Sequence, residues 1–242
     1  MWAKCSILLI GYFVSGSIAG GVSFIKPCKP RDSECLLNSA KIAMPHVAKG
    51  LAEFGTPSLD PLHINKEVKA DSGELKISFK NIVAHDLSKC DIKKITRDPV
   101  KSTASLIFVC PLTLVGEYTA GGKLFYLDIF GNGDFKIKDG TIKIAIDLKI
   151  KSFEDKAGVK HYKIGSFDYE FEPLTRFDIK LNNLFNGDKT QADPIDKIIS
   201  ESWKELIIDV GKPVLREGVV TIVGAIDKIF KGIAAEDIEI AE

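Results

Sequence analysis

The side chains that could carry acid–base, nucleophilic or metal chemistry are few and dispersed. The four histidines, His46, His63, His85 and His161, stand far apart. No His-Glu-x-x-His, Cys-x-x-Cys or His-x-His spacing sets two donors on one face, as a zinc site requires. His85 adjoins Asp86, but neighbours on a strand point to opposite faces and cannot act as a general-base pair. A Gly-x-Ser-x-Gly elbow is absent. Gly131-Asn132-Gly133 lacks the third glycine of a dinucleotide loop and reads as a hairpin turn. Asp128, Asn132 and Asp134 are spaced loosely like calcium ligands, without the acidic residue that would close the loop. The sequence therefore predicts no catalytic residue, no metal and no cofactor: a binding protein rather than an enzyme.

The cysteines point to an oxidising compartment. Lys4, the apolar run Ile7–Val14 and the small residues Ser15, Gly16, Ser17, Ala19 and Gly20 read as a secretory signal peptide over residues 1–20. Residues 21–242 then form a single domain. Lys4 is the only charged residue before Gly20, so 33 basic residues less one face 33 acidic ones, a net charge of −1. No dense Lys/Arg cluster proposes a nucleic-acid partner, and no Asn-x-Ser/Thr sequon is present. Cys5 leaves with the leader, and the remaining four cysteines imply two disulfides with three possible connectivities. Cys28 and Cys35 close a short loop ahead of the first helix. A hairpin turn over Asp98–Ser102, centred on Val100, sets position 90 opposite position 110, within disulfide reach. The expected bridges are Cys28–Cys35 and Cys90–Cys110.

These residues need elements to hold them. Asp32 can cap a helix carrying Leu36, Leu37, Ala40, Met44, Val47, Ala48 and Leu51 on one face, bent at Pro45. Ile142, Ile144, Ile146, Leu148 and Ile150 alternate with Lys143, Ala145, Asp147, Lys149 and Lys151, which predicts a long strand with one apolar face. Tyr162 and Ile164 precede Gly165, while Phe167, Tyr169 and Phe171 follow on the other parity, so Gly165 marks a bulge. Turns are expected at 119–122, 138–140 and 155–158. In the stretch Asp193–Lys231, Asp193 reads as an N-cap ahead of Pro194. Ile195, Ile198, Ile199, Leu206 and Val210 then share a face, with Trp203 at its edge. Beyond Pro213 the apolar side moves round to Val219, Ile222, Val223, Ile226, Ile229 and Phe230. The stretch is either one kinked rod of roughly 55–60 Å or two helices broken at Pro213. An antiparallel sheet this long and one-faced must curl around something, and this stretch, apolar on more than one side, is the available filling.

Pro27-Cys28 … Cys35, Gly50, Pro57 and Leu59-Asp60-Pro61-Leu62 resemble the insect takeout and juvenile-hormone-binding protein family. Gly116-Glu117-Tyr118, Gly122-Lys123-Leu124 and Gly131-Asn132-Gly133 support the resemblance, which covers essentially the whole mature chain. It implies an α+β fold in which a long C-terminal helix is wrapped by a strongly curved antiparallel sheet along an elongated apolar tunnel. It also implies a secreted carrier of small hydrophobic molecules. Haemolymph juvenile-hormone-binding proteins carry a second bridge from the late sheet to the C-terminal helix. This chain has no cysteine after Cys110, so the similarity points to the takeout-like carriers.

The expected function is extracellular transport of a terpenoid, fatty acid or similar lipid by a monomer. The expected lining is Ile142, Ile144, Ile146 and Leu148 on the sheet and Val219, Val223, Ile226 and Phe230 on the helix. Tyr118 and Trp203 are candidate polar handles; Thr113, Tyr126 and Tyr162 could also serve. The alternative is an extracellular protein that docks on a membrane or receptor through a lysine-rich outer face and holds lipid only incidentally.

Overall fold

Alternating apolar residues build two strands of unusual length. In the computed structural model, which describes residues 22–240, β5 (Thr103–Leu124) has 22 residues and β6 (Leu127–Glu154) has 28. They form one antiparallel hairpin from Thr103↔Lys149 to Leu124↔Leu127. At ~3.3 Å per residue the shorter strand spans roughly 70 Å. The remaining strands are β1 (Leu62–Ile64), β2 (Val68–Lys69), β3 (Lys76–His85), β4 (Asp91–Asp98), β7 (Lys160–Pro173) and β8 (Asp178–Leu181). At one end of the hairpin the order is β4-β5-β6-β7; at the other it is β3-β5-β6-β8, with β1 and β2 on β3. The sheet is not closed. Register shifts at Lys80/Val83, Ile92/Lys94, Leu112/Leu114 and Lys149/Ile150 bend it. The last of these pairs Lys149 with Ser166 and Ile150 with Ile164, which places the bulge at Gly165.

Asp32 caps α1 (Ser33–Lys49), its Oδ1 accepting from Cys35 N at 2.9 Å. Leu59 and Leu62 are buried. Between them, the Asp60 carboxylate accepts from Asp86 N and Ser88 N at 3.1 and 2.9 Å and fixes the loop leading to Cys90. Both expected disulfides form, Cys28–Cys35 and Cys90–Cys110. The hairpin before the second differs from expectation. Its loop comprises residues 99–102, and Asp98 pairs with Thr103, one position off a turn centred on Val100. The bulge near Lys93 restores the register, so Asp91 faces Val109 and the two cysteines still meet.

Three expected turns are not turns. Residues 119–122 lie within β5, and the chain reverses instead at Phe125-Tyr126. Gly122, at φ +102°, serves close packing rather than reversal: a Cβ there would lie 2.1 Å from the Glu74 carbonyl oxygen. Residues 138–140 bend β6 without ending it, and a Cβ on Gly140 would sit 2.2 Å from the Phe177 ring. Gly131-Asn132-Gly133 runs mid-strand, with Gly131 bridged to Leu184. Residues 155–158 do turn, with Asp155 Oδ1 accepting from Ala157 N and Val159 N.

The C-terminal stretch is neither one rod nor two helices broken at Pro213 but three helices, α2 (Lys189–Glu201), α3 (Trp203–Asp209) and α4 (Lys212–Gly232). Asp188, not Asp193, is the N-cap of α2, its carboxylate accepting from Thr190 N, and Pro194 lies inside the helix. Pro213 opens α4, where a missing N–H costs nothing. Buried Val214, Val219 and Val223 of α4 join the same core as Ile142, Ile144, Ile146 and Leu148 of β6, while Ile229 packs with Leu51 and Ile233. The proposed leader, residues 1–20, lies outside the described residues.

Candidate functional site

The inner face of the sheet is apolar at every second residue of β6 from Ile142 to Ile150. These side chains do not meet the helices everywhere. A hollow of about 290 Å³ separates β4, β5 and β6 from α1 and the C-terminal half of α4. Ile146, Leu148 and Ile150 form one wall, Ile222, Val223, Ile226, Ile229 and Phe230 another, and Leu36, Met44 and Val47 of α1 the third. Two smaller voids continue the line. One of about 40 Å³ lies among Ile142, Ile144, Val214 and Val219. One of about 70 Å³ lies among Leu75, Phe79, Phe135, Phe177, Leu206 and Val210. The voids share walls: Leu87 and Ile222 border the first two, and Ile142, Leu112 and Val214 the last two.

Of the expected lining, Ile146, Leu148, Val223, Ile226 and Phe230 come together on the large hollow. Ile142, Ile144 and Val219 border the small central void. Tyr118 and Trp203 lie off all three. Tyr118 is 2% exposed and its hydroxyl donates to Asn182 O at 2.8 Å. Burial, then the nearby Asp196 charge, pushes its pKa up to about 12. Trp203 packs against Phe177, ring centroids 6.2 Å apart.

The polar groups of the large hollow were mostly hidden in the sequence. Ser39 is spent on the Lys26 backbone, its Oγ accepting from N and donating to O at 2.9 and 2.8 Å. At the wall facing the C-terminal segment, Tyr162 OH donates to Glu239 Oε1 at 2.9 Å, and Arg97 Nε donates to Glu239 Oε2 at 3.1 Å. Arg97 Nη1 donates to the carbonyls of Asp98 and Thr103, and the guanidinium carbon lies 5.8 Å from the Tyr162 ring centroid. Burial, then the bond to Glu239, raises the Tyr162 pKa. Glu239 is held from its backbone side by the Cys28 segment, with Cys28 N donating to Ile238 O and Ile240 N to Cys28 O. Tyr162 was a candidate from its residue type. Arg97 and Glu239 carried no signal, each being one charge among several in its own segment. No cluster of His, Cys, Asp or Glu able to hold a metal occurs among the described residues.

A long, open antiparallel sheet folded over helices around an apolar interior defines a class of α+β proteins built about an internal hollow. The chain belongs to the haemolymph juvenile hormone binding protein (JHBP) family, whose sequence model matches residues 7–239. It is a family of binding and carrier proteins. The circadian clock-controlled protein daywake of Drosophila melanogaster is 26% identical over 224 residues, 86% of this chain and 81% of that protein. Daywake of Drosophila yakuba is 23% identical over 206 residues, 79% and 77% of the two chains. The crystal structure of Epiphyas postvittana Takeout 1 superposes with a TM-score of 0.86 at 26% identity, covering 90% of this chain and all of that one.

Proposed function

We propose that this protein is a secreted, monomeric carrier that holds one small hydrophobic molecule in the hollow between β4–β6, α1 and α4. The observation that carries the reading is a hollow of about 290 Å³ lined almost wholly by aliphatic and aromatic side chains. Its size is near the lower end of ordinary ligand pockets, ~300–1,000 Å³. Apolar area withdrawn from water gains ~25 cal/mol per Å², so a chain-like lipid reaching toward the smaller voids gains affinity with length. A terpenoid, fatty acid or comparable lipid fits that chemistry. Delipidated protein titrated with an environment-sensitive apolar probe should show saturable one-to-one uptake; a titration without saturation contradicts the reading.

A second reading, docking on a membrane or receptor, is favoured by the β5–β6 hairpin tip. There Phe125 is 57% and Tyr126 79% exposed. Co-sedimentation with neutral and anionic vesicles distinguishes it, since a pure carrier stays in the supernatant.

A further inference from the structure

We infer that Arg97, Tyr162 and Glu239 form the head-group end of the large hollow, and that they select a long apolar molecule ending in a neutral oxygen group over one ending in a carboxylate. The inference rests on the carrier reading and adds to it which end of the ligand is read, and by what.

All three side chains border the hollow, which is otherwise apolar apart from Ser39 and Lys26. Arg97 and Glu239 are only 10% and 17% exposed, and each neutralises the other. The bonds of Arg97 to Glu239, Asp98 and Thr103 use Nε and Nη1, and its side chain also bonds to the Tyr162 hydroxyl; with two N–H groups on Nη2, at least one donor is left for a ligand. The Tyr162 hydroxyl donates to Glu239 and already accepts from Arg97, and its second lone pair can accept one further bond. A ligand hydroxyl, ester or ketone can bond to these groups without bringing a charge. A carboxylate would meet Glu239 beside an Arg97 that is already paired, and burying an unpaired anion is costly. Lys160 lies 5.9 Å from the Tyr162 ring centroid and lines a second, more open hollow that Tyr162 and Glu239 also border.

The test is displacement of a bound apolar probe from the delipidated full chain by 1-hexadecanol, methyl hexadecanoate and hexadecanoate, above the ordinary carboxylate pKa range. Wild type should bind the alcohol and ester about tenfold tighter than the acid, equivalent to ~1.4 kcal/mol. Glu239→Gln, which leaves Arg97 uncancelled, should reverse that order. Tyr162→Phe should weaken the alcohol and ester several-fold while the melting temperature falls no more than the loss of its bond to Glu239 explains, and it decides the matter together with the wild-type ranking if Glu239→Gln does not fold. Equal binding of all three molecules, or one ranking in every variant, would make the trio purely structural and overturn the inference while leaving the carrier reading intact. No uptake of probe or competitor would overturn both.

Discussion

Arg97 Nε and Glu239 Oε2 stand 3.1 Å apart across 142 positions of sequence. The contact ties the β4–β5 hairpin to the last described residues of the chain. Both side chains are largely buried, so removing one leaves the other charged and unpaired. Glu239→Ala should destabilise the fold by about 3 kcal/mol, read as a lowered urea midpoint with an unchanged slope. A change within experimental error would mean that the pair is solvated.

The two faces of β6 differ sharply. Ile146 is 2% exposed, whereas Lys149 is exposed and pairs in register with Thr103 and Ser166. Ile146→Asp places a charge in an apolar interior and should cost on the order of 4 kcal/mol or more. Lys149→Asp should stay within about 0.5 kcal/mol. Thermal denaturation of the two variants side by side checks the assignment, and equal shifts would invert it.

Helix α4 passes from packed core to open hollow within two turns. Val219 borders only the void of about 40 Å³, while Val223 and Ile226 border the one of about 290 Å³. Val219→Trp should overpack and cost ~1–3 kcal/mol. Ile226→Trp should leave the melting temperature nearly unchanged and abolish probe uptake. Paired melting and binding curves for the two variants separate filled from unfilled interior.

Tyr118 predicts an alkaline limit to stability. Its pKa rises from 10 to about 12 on folding, through burial and then Asp196. The unfolded chain therefore loses this proton first. The associated stability is complete below pH 10 and is lost as pH rises toward 12. Tyr118→Phe should flatten that part of the stability–pH curve, apart from the contributions of Tyr162 and Tyr169, whose pKa values are also raised. It should also cost about 1 kcal/mol at neutral pH through the lost bond to Asn182.

How much of this was legible follows from the range of the forces involved. The face of Ile142–Ile150 could be read because strand alternation is local. The bridge Cys90–Cys110 was expected from a symmetric hairpin and formed through a different route, a longer loop compensated by the bulge near Lys93. Turn signals failed where glycine answers tertiary contact, as at Gly122 beside Glu74 and Gly140 under Phe177. The reversal falls instead on Phe125-Tyr126, residues with no turn preference. The break between α2 and α3 at Ser202 has no glycine or proline to announce it. Arg97 and Glu239 were invisible because a pair 142 positions apart leaves no spacing to detect. The third wall, α1, was legible as a helix, but nothing local showed that its Leu36, Met44 and Val47 would face a hollow.

Whether the interior holds a ligand can be read by native mass spectrometry of the protein purified from a secreting host. The expected result is a monomer carrying one small hydrophobic molecule at a fixed ratio, released on collisional activation and absent from Ile226→Trp prepared alongside. A wild-type protein that flies empty, and remains empty after incubation with long-chain alcohols, esters and acids, would contradict it.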